Sequence, residues 1–243
     1  VASRKAQVES SFRQIREQIR TFGLRVDIAD ATLSFAEAFA ALPREASGLG
    51  VDGEAVLASV RGYYEDEFRP RVTGAGLSYR GTDAYTPGSA SGVIAQALYI
   101  SGNPHPVGSK LRLDRNDLPL SYNAVHELYH PSIRAYLESF GYYDIFLLDT
   151  EGNLVYSVFK ETDFATNFLS GPYRGTNLAA AYREALTLGP GEVALQDFAA
   201  YEPSYGAAAS FTATPVFREG RRVGVAVFQM PVDSINAVLA TAE

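Results

Sequence analysis

Two pairs of apolar segments, each joined by a short turn, constrain the fold of this chain more than any other feature. Residues 145–148 and 154–159 flank a turn of Asp, Thr, Glu, Gly and Asn, which includes the residue types that a tight reversal needs. Residues 210–217 and 223–229 flank a charged turn in the same way. Each pair predicts a β-hairpin. The first strand is a continuous apolar run and is therefore expected to be buried on both faces.

A helical pattern lies between the two predicted hairpins. Over residues 176–186, apolar side chains recur at the three- and four-residue spacing of an amphipathic helix. The residues on that face are Leu178, Ala181, Tyr182 and Ala185. The predicted order is therefore hairpin, helix, hairpin.

This order resembles the Cache domain, the PAS-like extracytoplasmic sensor module of bacterial transmembrane receptors. The resemblance covers residues 121–236 and is closest in YHPSIRAYLESFGYYDIFLLD, NLVYSVFKETDF and ASFTATPVF. It implies an α+β fold with a mainly antiparallel sheet over residues 141–243. It also implies ligand sensing rather than catalysis, in a chemoreceptor, a sensor histidine kinase or a membrane nucleotide cyclase, any of which signals as a dimer.

Composition fits an exported domain. The net charge of −7 argues against a nucleic-acid or anionic-membrane partner, and the 47% hydrophobic fraction excludes a disordered chain. With no cysteine, the chain has neither a disulfide nor a thiol nucleophile. The first residue is Val1, and no apolar run approaches the roughly 18–20 residues that span a bilayer. We therefore expect a periplasmic or extracellular segment between two transmembrane helices; the alternative is a soluble protein with a processed N-terminus.

The N-terminal part carries a heptad pattern. Apolar residues alternate spacings of three and four over more than four heptads, which predicts one long helix ending by Pro43 and reaching roughly 60 Å. The seam consists of Val8, Phe12, Ile15, Ile19, Phe22, Val26, Ala29, Leu33, Ala36 and Ala40. Taken alone, it fits a homodimer seam or a helix buried in a monomeric bundle. The receptor resemblance favours the homodimer.

Residues 44–140 are predicted to be helical with interruptions. Helices are expected over 53–72, 91–100 and 122–140, with a loop over 77–88. Paired strand signals are lacking between residues 44 and 120, which disfavours a second PAS-like fold there. We therefore divide the chain into a helical region, 1–140, and a Cache domain, 141–243.

One motif points to a different function. His126, Glu127 and His130 form HExxH, which on a helix places two zinc ligands on one face with a general base. Pro131 directly follows and should push His130 out of helical geometry. The sequence offers no convincing third ligand. A zinc metallopeptidase is therefore the alternative hypothesis, and no metal, cofactor or catalytic residue is expected.

Candidate ligand-binding residues come from the segment that connects the hairpins. The resemblance implies a pocket over one sheet face beneath residues 160–205. Strand parity puts Tyr156 and Lys160 on one face. The turn at 171–173 and an irregular loop over 197–205 supply further polar and aromatic groups. The full set is Tyr156, Lys160, Asp163, Tyr173, Arg174, Asp197, Tyr201, Ser204 and Tyr205.

Mixed charges in this set fit a small polar ligand. We expect an amino acid or small carboxylate, held by Lys160 or Arg174 with an acidic group opposite. Taken singly, each aromatic residue is more often a core or lid residue than a ligand-binding one. A third hypothesis is therefore a sensor-like module that binds no small molecule.

Overall fold

A five-stranded sheet organises the part of the chain that the computed structural model describes, residues 2–230 without the side chains of residues 2–5, 7 and 8. All neighbouring strands are antiparallel, in the order β2-β1-β5-β4-β3. The strands are β1 (Asp144–Leu148), β2 (Leu154–Ser157), β3 (Ala194–Ala200), β4 (Ala208–Arg218) and β5 (Arg221–Met230). The predicted α+β class is confirmed.

Most of the helices precede the sheet in sequence. They are α1 (Ala2–Gly23), α2 (Val26–Gly48), α3 (Gly53–Tyr63), α4 (Arg69–Gly74), α5 (Thr82–Tyr85), α6 (Ala90–Gln96), α7 (Ser121–Phe140) and α8 (Asn177–Ala185). Two π-helical turns, Tyr64–Phe68 and Ala97–Ser101, continue α3 and α6. Over residues 2–230, no helix combines the length and apolarity needed to cross a bilayer.

Both hairpins and the helix between them are confirmed. Strands β1 and β2 pair across a turn in which Asp149 Oδ1 accepts from the backbone N–H groups of Glu151 and Asn153, each at 2.9 Å. All five residues of β1 are buried, as a continuous apolar run predicts. Helix α8 begins after Thr176, whose hydroxyl accepts from the Ala179 N–H at 3.3 Å. This is the usual N-terminal cap of a helix.

The single N-terminal helix predicted to end by Pro43 is wrong. The chain breaks after Gly23, and α2 then continues through Pro43 to Gly48. A Cβ at residue 23 would lie 2.3 Å from the Thr214 methyl group, so this glycine lets the end of α1 approach β4 closely. The heptad seam therefore does not run along one continuous helix.

The heptad residues do not form one exposed seam. Ile19 and Phe22 are at most 1% exposed, because α1 packs on strands β4 and β5 of the same chain. Val26, by contrast, is 61% exposed. The buried part of the pattern therefore stabilises the monomer.

The two faces of the sheet have separate cores. Ile145, Leu147 and Phe228 point to the face covered by α1, α2 and α7. Phe146 and Val227 point to the other face, which α8 covers. Both faces are apolar because each is covered, and this explains why β1 lacks the alternation of a half-exposed strand.

Two further predictions are corrected. Residues 197–200 are not an irregular loop but the end of β3, which pairs with β4 at the sheet edge. The sequence hides this strand because its outward side chains, Leu195, Asp197 and Ala199, do not form an apolar pattern. Pro131 does not interrupt α7, which continues from Ser121 to Phe140. His126, His130, Ile133 and Leu137 are buried along this helix, and their packing outweighs the local preference at a pre-proline residue.

The boundary at residue 140 stays a prediction. Side chains from both parts meet in one core on the α1–α2 face. Phe22 contacts Phe228 with ring centroids 5.1 Å apart, and Phe35 stacks on Tyr156 at 4.6 Å. The helices before residue 140 therefore cover the sheet that follows it.

Candidate functional site

A cluster of buried polar side chains lies where the segment after β2 crosses the start of β1 and the end of β5. Each member is at most 6% exposed, although charged side chains are rarely buried without a role or a partner. The cluster consists of Asp144, Lys160, Glu161, Asp163, Ser204 and Gln229. We call it the polar cluster.

The segment that carries the cluster has an unusual backbone. Lys160 (φ 64°) and Ala165 (φ 66°) adopt the left-handed conformation that non-glycine residues rarely take. Gln96, at the end of α6, holds the segment between them by donating to the carbonyls of Thr162 at 3.2 Å and Phe164 at 2.8 Å. Gln96 in turn accepts from the Tyr64 hydroxyl at 3.0 Å. Strained residues held in this way are common at functional sites.

Asp144 anchors the segment to the sheet. Its Oδ1 accepts from three backbone N–H groups, those of Ile145 at 2.7 Å, Val158 at 3.0 Å and Phe159 at 2.9 Å. Its Oδ2 is buried without a hydrogen-bond partner. Burial, and after it the nearby charge of Asp163, raises the pKa of Asp144 well above its ordinary value.

Glu161 links the segment to the 3₁₀ turn after β3. Its two carboxylate oxygens accept from the Tyr143 hydroxyl at 2.6 Å and the Ser204 hydroxyl at 2.8 Å. The Gln229 amide donates to the same Ser204 oxygen at 3.2 Å, while Gln229 Oε1 is buried and unpartnered. Burial is the main cause that raises the pKa of Glu161.

Asp163 faces residues 201–204, which close over the polar cluster. Its Oδ2 accepts from the Tyr201 hydroxyl at 2.6 Å, and its Oδ1 is buried without a partner. Burial raises the pKa of Asp163 to about 6, against the opposing effect of its hydrogen bonds.

Lys160 is the cation of the cluster. Its ammonium group donates to the Ser157 carbonyl, and no carboxylate of residues 2–230 forms an ion pair with it. Burial lowers the pKa of Lys160 to about 7, although Asp144 and Asp163 act in the opposite direction.

Six of the predicted site residues come together here or beside the cluster, among them Tyr156, whose ring centroid lies 4.5 Å from Lys160 Nζ. Lys160, Asp163 and Ser204 belong to it, and Tyr201 binds Asp163 directly. The Tyr173 hydroxyl lies 2.9 Å from the Thr162 hydroxyl, next to the cluster in the chain.

The other three predicted residues lie elsewhere. Tyr205 is half-buried near Phe68. Arg174 is exposed and donates to the Gly171 carbonyl at 3.1 Å. Asp197 is exposed, and its carboxylate accepts from the Phe198 N–H at 2.7 Å.

Sequence reasoning missed Asp144, Glu161 and Gln229. A signal existed for Gln229, because strand parity places it on the face of Val225 and Val227 in an otherwise apolar strand. Parity placed Lys160 on the side of Tyr156, and its Nζ does lie 4.5 Å from that ring centroid, although β2 ends at Ser157 and the chain then turns through a positive φ.

The HExxH histidines lie on the face covered by α2 and α7, beside Tyr156 and the Lys160 side chain. His130 Nε2 contacts the Leu111 carbonyl at 2.6 Å and must donate to it, so Nδ1 accepts from the Tyr156 hydroxyl at 2.8 Å. His126 Nδ1 likewise donates to the Asp114 carbonyl at 2.7 Å, which leaves Nε2 unpartnered. Within residues 2–230, no three potential ligands are grouped to hold a metal ion, and Glu127 pairs with Arg115 at 2.7 Å. The geometry therefore gives no support to the zinc-peptidase hypothesis.

Both histidines are expected to make stability pH-dependent. Burial lowers the pKa of His130 to about 3 and that of His126 well below its ordinary value of about 6.5. Each contributes stability above pH 6.5 that is lost as pH falls, because the unfolded chain binds protons that the folded one excludes. Relative to His130→Asn, the wild type should lose about 1.4 kcal/mol per pH unit between pH 6 and 4 in urea denaturation. If the free energy of unfolding changes with pH in the same way for the wild type and His130→Asn, the folded protein does not exclude a proton from His130, and the prediction is wrong.

Two surface clefts lie away from the polar cluster. The larger, about 640 Å³, is bordered by α2 and by the turns of both hairpins, including Asp149 and Arg222. The smaller, about 220 Å³, lies between α1 and the β3 edge, where it is lined by Ile15 and Leu195. Neither includes a residue of the polar cluster, which is closed beneath residues 201–204.

Comparisons with known proteins give matches among solved structures. One is the sensor domain of the histidine kinase DctB from V. cholerae, at 16% identity over 76% of this chain and 59% of that one, TM-score 0.38. Another is the ligand-binding domain of the Campylobacter jejuni chemoreceptor Tlp3 with 4-methylisoleucine, at 13% over 79% and 64%, TM-score 0.39. A third is that of the Pseudomonas aeruginosa amino acid chemoreceptor PctC with GABA, at 14% over 81% and 65%, TM-score 0.32.

All three are sensor or ligand-binding domains. The chain spans less than two thirds of the length of each, and at these TM-scores no residue or ligand is transferred from them. No protein-family model and no curated protein matches the chain.

Proposed function

We propose that this chain is an extracytoplasmic sensor domain that binds a small polar molecule at the polar cluster. The observation that carries the proposal is a set of three buried acceptor oxygens without partners: Asp144 Oδ2, Asp163 Oδ1 and Gln229 Oε1. Buried polar atoms are nearly always hydrogen-bonded, and an unpaired one destabilises the fold by about 1–3 kcal/mol. A bound molecule that donates hydrogen bonds would satisfy them.

The chemistry of the cluster favours a ligand with an amino group. Three carboxyl groups and one ammonium group are buried together, so the site has an excess of acceptors. An ammonium group supplies three donors, whereas a carboxylate would find only Lys160 as a cation. An amino acid or a small amine fits this arrangement better than a simple carboxylate.

The cover of the cluster is the element that a ligand would move. The hydroxyl groups of Tyr201 and Ser204 fix this cover in place by donating hydrogen bonds to Asp163 and Glu161. Residues 201–207 connect β3 to β4, and β4 pairs along its length with β5. Opening and closing of this cover therefore acts directly on the two longest strands.

The wider setting belongs to the same proposal. We place the domain in the periplasm or outside the cell, anchored by flanking transmembrane helices and joined to a cytoplasmic output module. Homodimerisation through the N-terminal helix would use the exposed side of α1, because Ile19 and Phe22 are buried against the sheet. Residues 231–243, expected to lead toward the second membrane helix, lie outside the described residues.

Ligand binding should depend on Asp163. A panel of amino acids and small amines is screened by thermal shift, where a ligand at a hundredfold excess over Kd stabilises the folded state by about 2.7 kcal/mol. Asp163→Asn replaces a charged acceptor by a neutral amide and is expected to weaken binding at least about tenfold, measured by calorimetry. Asp197→Asn is the matched control, because that carboxylate is exposed and outside the cluster.

Two results would contradict the proposal. One is a ligand that binds Asp163→Asn and the wild type equally, which would place its site elsewhere. The other is a panel that shifts neither protein, which would favour a sensor-like module without a small ligand.

A further inference from the structure

The ammonium group of Lys160 sits among three aromatic rings. Its Nζ lies 4.5 Å from the ring centroid of Tyr156, 4.9 Å from that of Phe164 and 5.7 Å from that of Tyr99. Aromatic faces within about 6 Å attract cations, and more strongly where water is excluded. Lys160 is 2% exposed, so this arrangement is a cation-binding cage rather than a surface contact.

The backbone shows that Lys160 is directed into the cage. Its φ of 64° is unfavourable for a residue with a Cβ, yet the position is not glycine. The cage also has acidic neighbours, since the charges of Asp144 and Asp163 act on Lys160 without an ion pair to it. One oxygen of each of these carboxyl groups has no partner. Their charges therefore favour a cation in the cage without a direct hydrogen bond to it.

We propose that Lys160 is a built-in occupant of a cation site, and that the vacated site binds a primary alkylammonium ion. The three rings and the two acidic neighbours form the site, and the lysine side chain fills it from within the chain. A free ligand with an ammonium group would compete with Lys160 for these groups, a step that rests on the proposed function. The cage itself does not depend on that function.

Lys160→Gly tests the cage directly. Glycine accepts the positive φ, and the side chain that it removes has the shape of n-butylammonium. Adding n-butylammonium should raise the melting temperature of Lys160→Gly in a saturable way and leave the wild type unchanged. n-Butanol has the same length without the charge, and we expect it to bind at least tenfold more weakly.

A second substitution ties binding to the rings. In the Lys160→Gly background, Phe164→Leu keeps an apolar side chain but removes one aromatic face, and it should lower the affinity for n-butylammonium. Equal stabilisation by n-butanol would overturn the proposal, because it would show that the space needs only an apolar filler. A folded Lys160→Gly protein unaffected by n-butylammonium would overturn it as well.

The test holds even if Lys160→Gly does not fold alone. Refolding it with n-butylammonium or with n-butanol then gives the answer: recovery with the ammonium ion only supports the cage, whereas equal recovery or none overturns it. This result is separate from the proposed function. A failed ligand panel leaves the rescue unaffected, and a failed rescue leaves the Asp163→Asn comparison valid.

Discussion

Ile19→Glu is expected to unfold most of the protein. Ile19 is completely buried between α1 and the sheet, so the substitution removes an apolar side chain and places a carboxylate in an apolar core. Loss of the side chain alone costs about 2–5 kcal/mol, and the unpaired charge adds to it. Domains of this kind have a total stability of about 5–15 kcal/mol. Urea denaturation followed by circular dichroism measures the loss.

Ile15→Glu is the matched variant on the same helix. Ile15 is only half-buried, so the glutamate reaches water and we expect a loss of about 1 kcal/mol or less. If α1 forms a dimer contact, Ile15→Glu should also weaken association in analytical ultracentrifugation. A stable, folded Ile19→Glu monomer would contradict the packing described above and would restore the heptad seam as a dimer interface.

Gly224→Ala is expected to destabilise the fold by about 3 kcal/mol. A Cβ at this position would lie 2.2 Å from the Leu148 carbonyl oxygen and 2.6 Å from the Thr32 methyl group. The methyl group can rotate away, but the carbonyl belongs to the backbone of the neighbouring strand. Relief therefore requires β1 and β5 to shift, which overpacked cores do only at a cost of roughly 1–3 kcal/mol or more.

Gly62→Ala is expected to change the free energy of unfolding in the opposite direction, by stabilising the protein. Gly62 lies within α3, has no positive φ, and has no atom within 4 Å of where its Cβ would be. Alanine should stabilise this helix by about 0.5–1 kcal/mol. Both variants are compared by their denaturation midpoints. Equal stability of Gly224→Ala and the wild type would show that α2 and β1 have room to separate.

The sheet was largely predictable because its signals are local. The turn at Asp149 and the charged turn before Val223 lie between apolar runs, and each hairpin forms from neighbours in sequence. Strand β3 was not predictable in the same way. Its partner β4 supplies the hydrogen bonds, while its own outward residues resemble a loop.

The candidate site was only partly predictable because it depends on long-range register. Asp144 pairs with Gln229, 85 positions later in the chain, and no local pattern reports that pairing. Asp163 and Tyr201 were selected separately, as polar groups in a connecting segment, and their hydrogen bond appears only in the fold. Lys160 was assigned to the strand face of Tyr156, and its ammonium group does lie beside that ring, but the positive φ at Lys160 is not visible in the sequence.

Two glycine contacts determine how α1 and α2 can move. The Thr214 methyl group occupies the place of a Cβ at Gly23, and the Thr32 methyl group does the same at Gly224. Each methyl group fills the space beside a glycine where a Cβ would otherwise lie. This interlocking resists shear, the sliding of packed elements past one another. A change in the twist of the sheet would therefore tilt α1 and α2 rather than slide them along it. From Gly23 to its start, α1 is a lever of about 30 Å, so a rotation of about 5° moves its far end by about 3 Å.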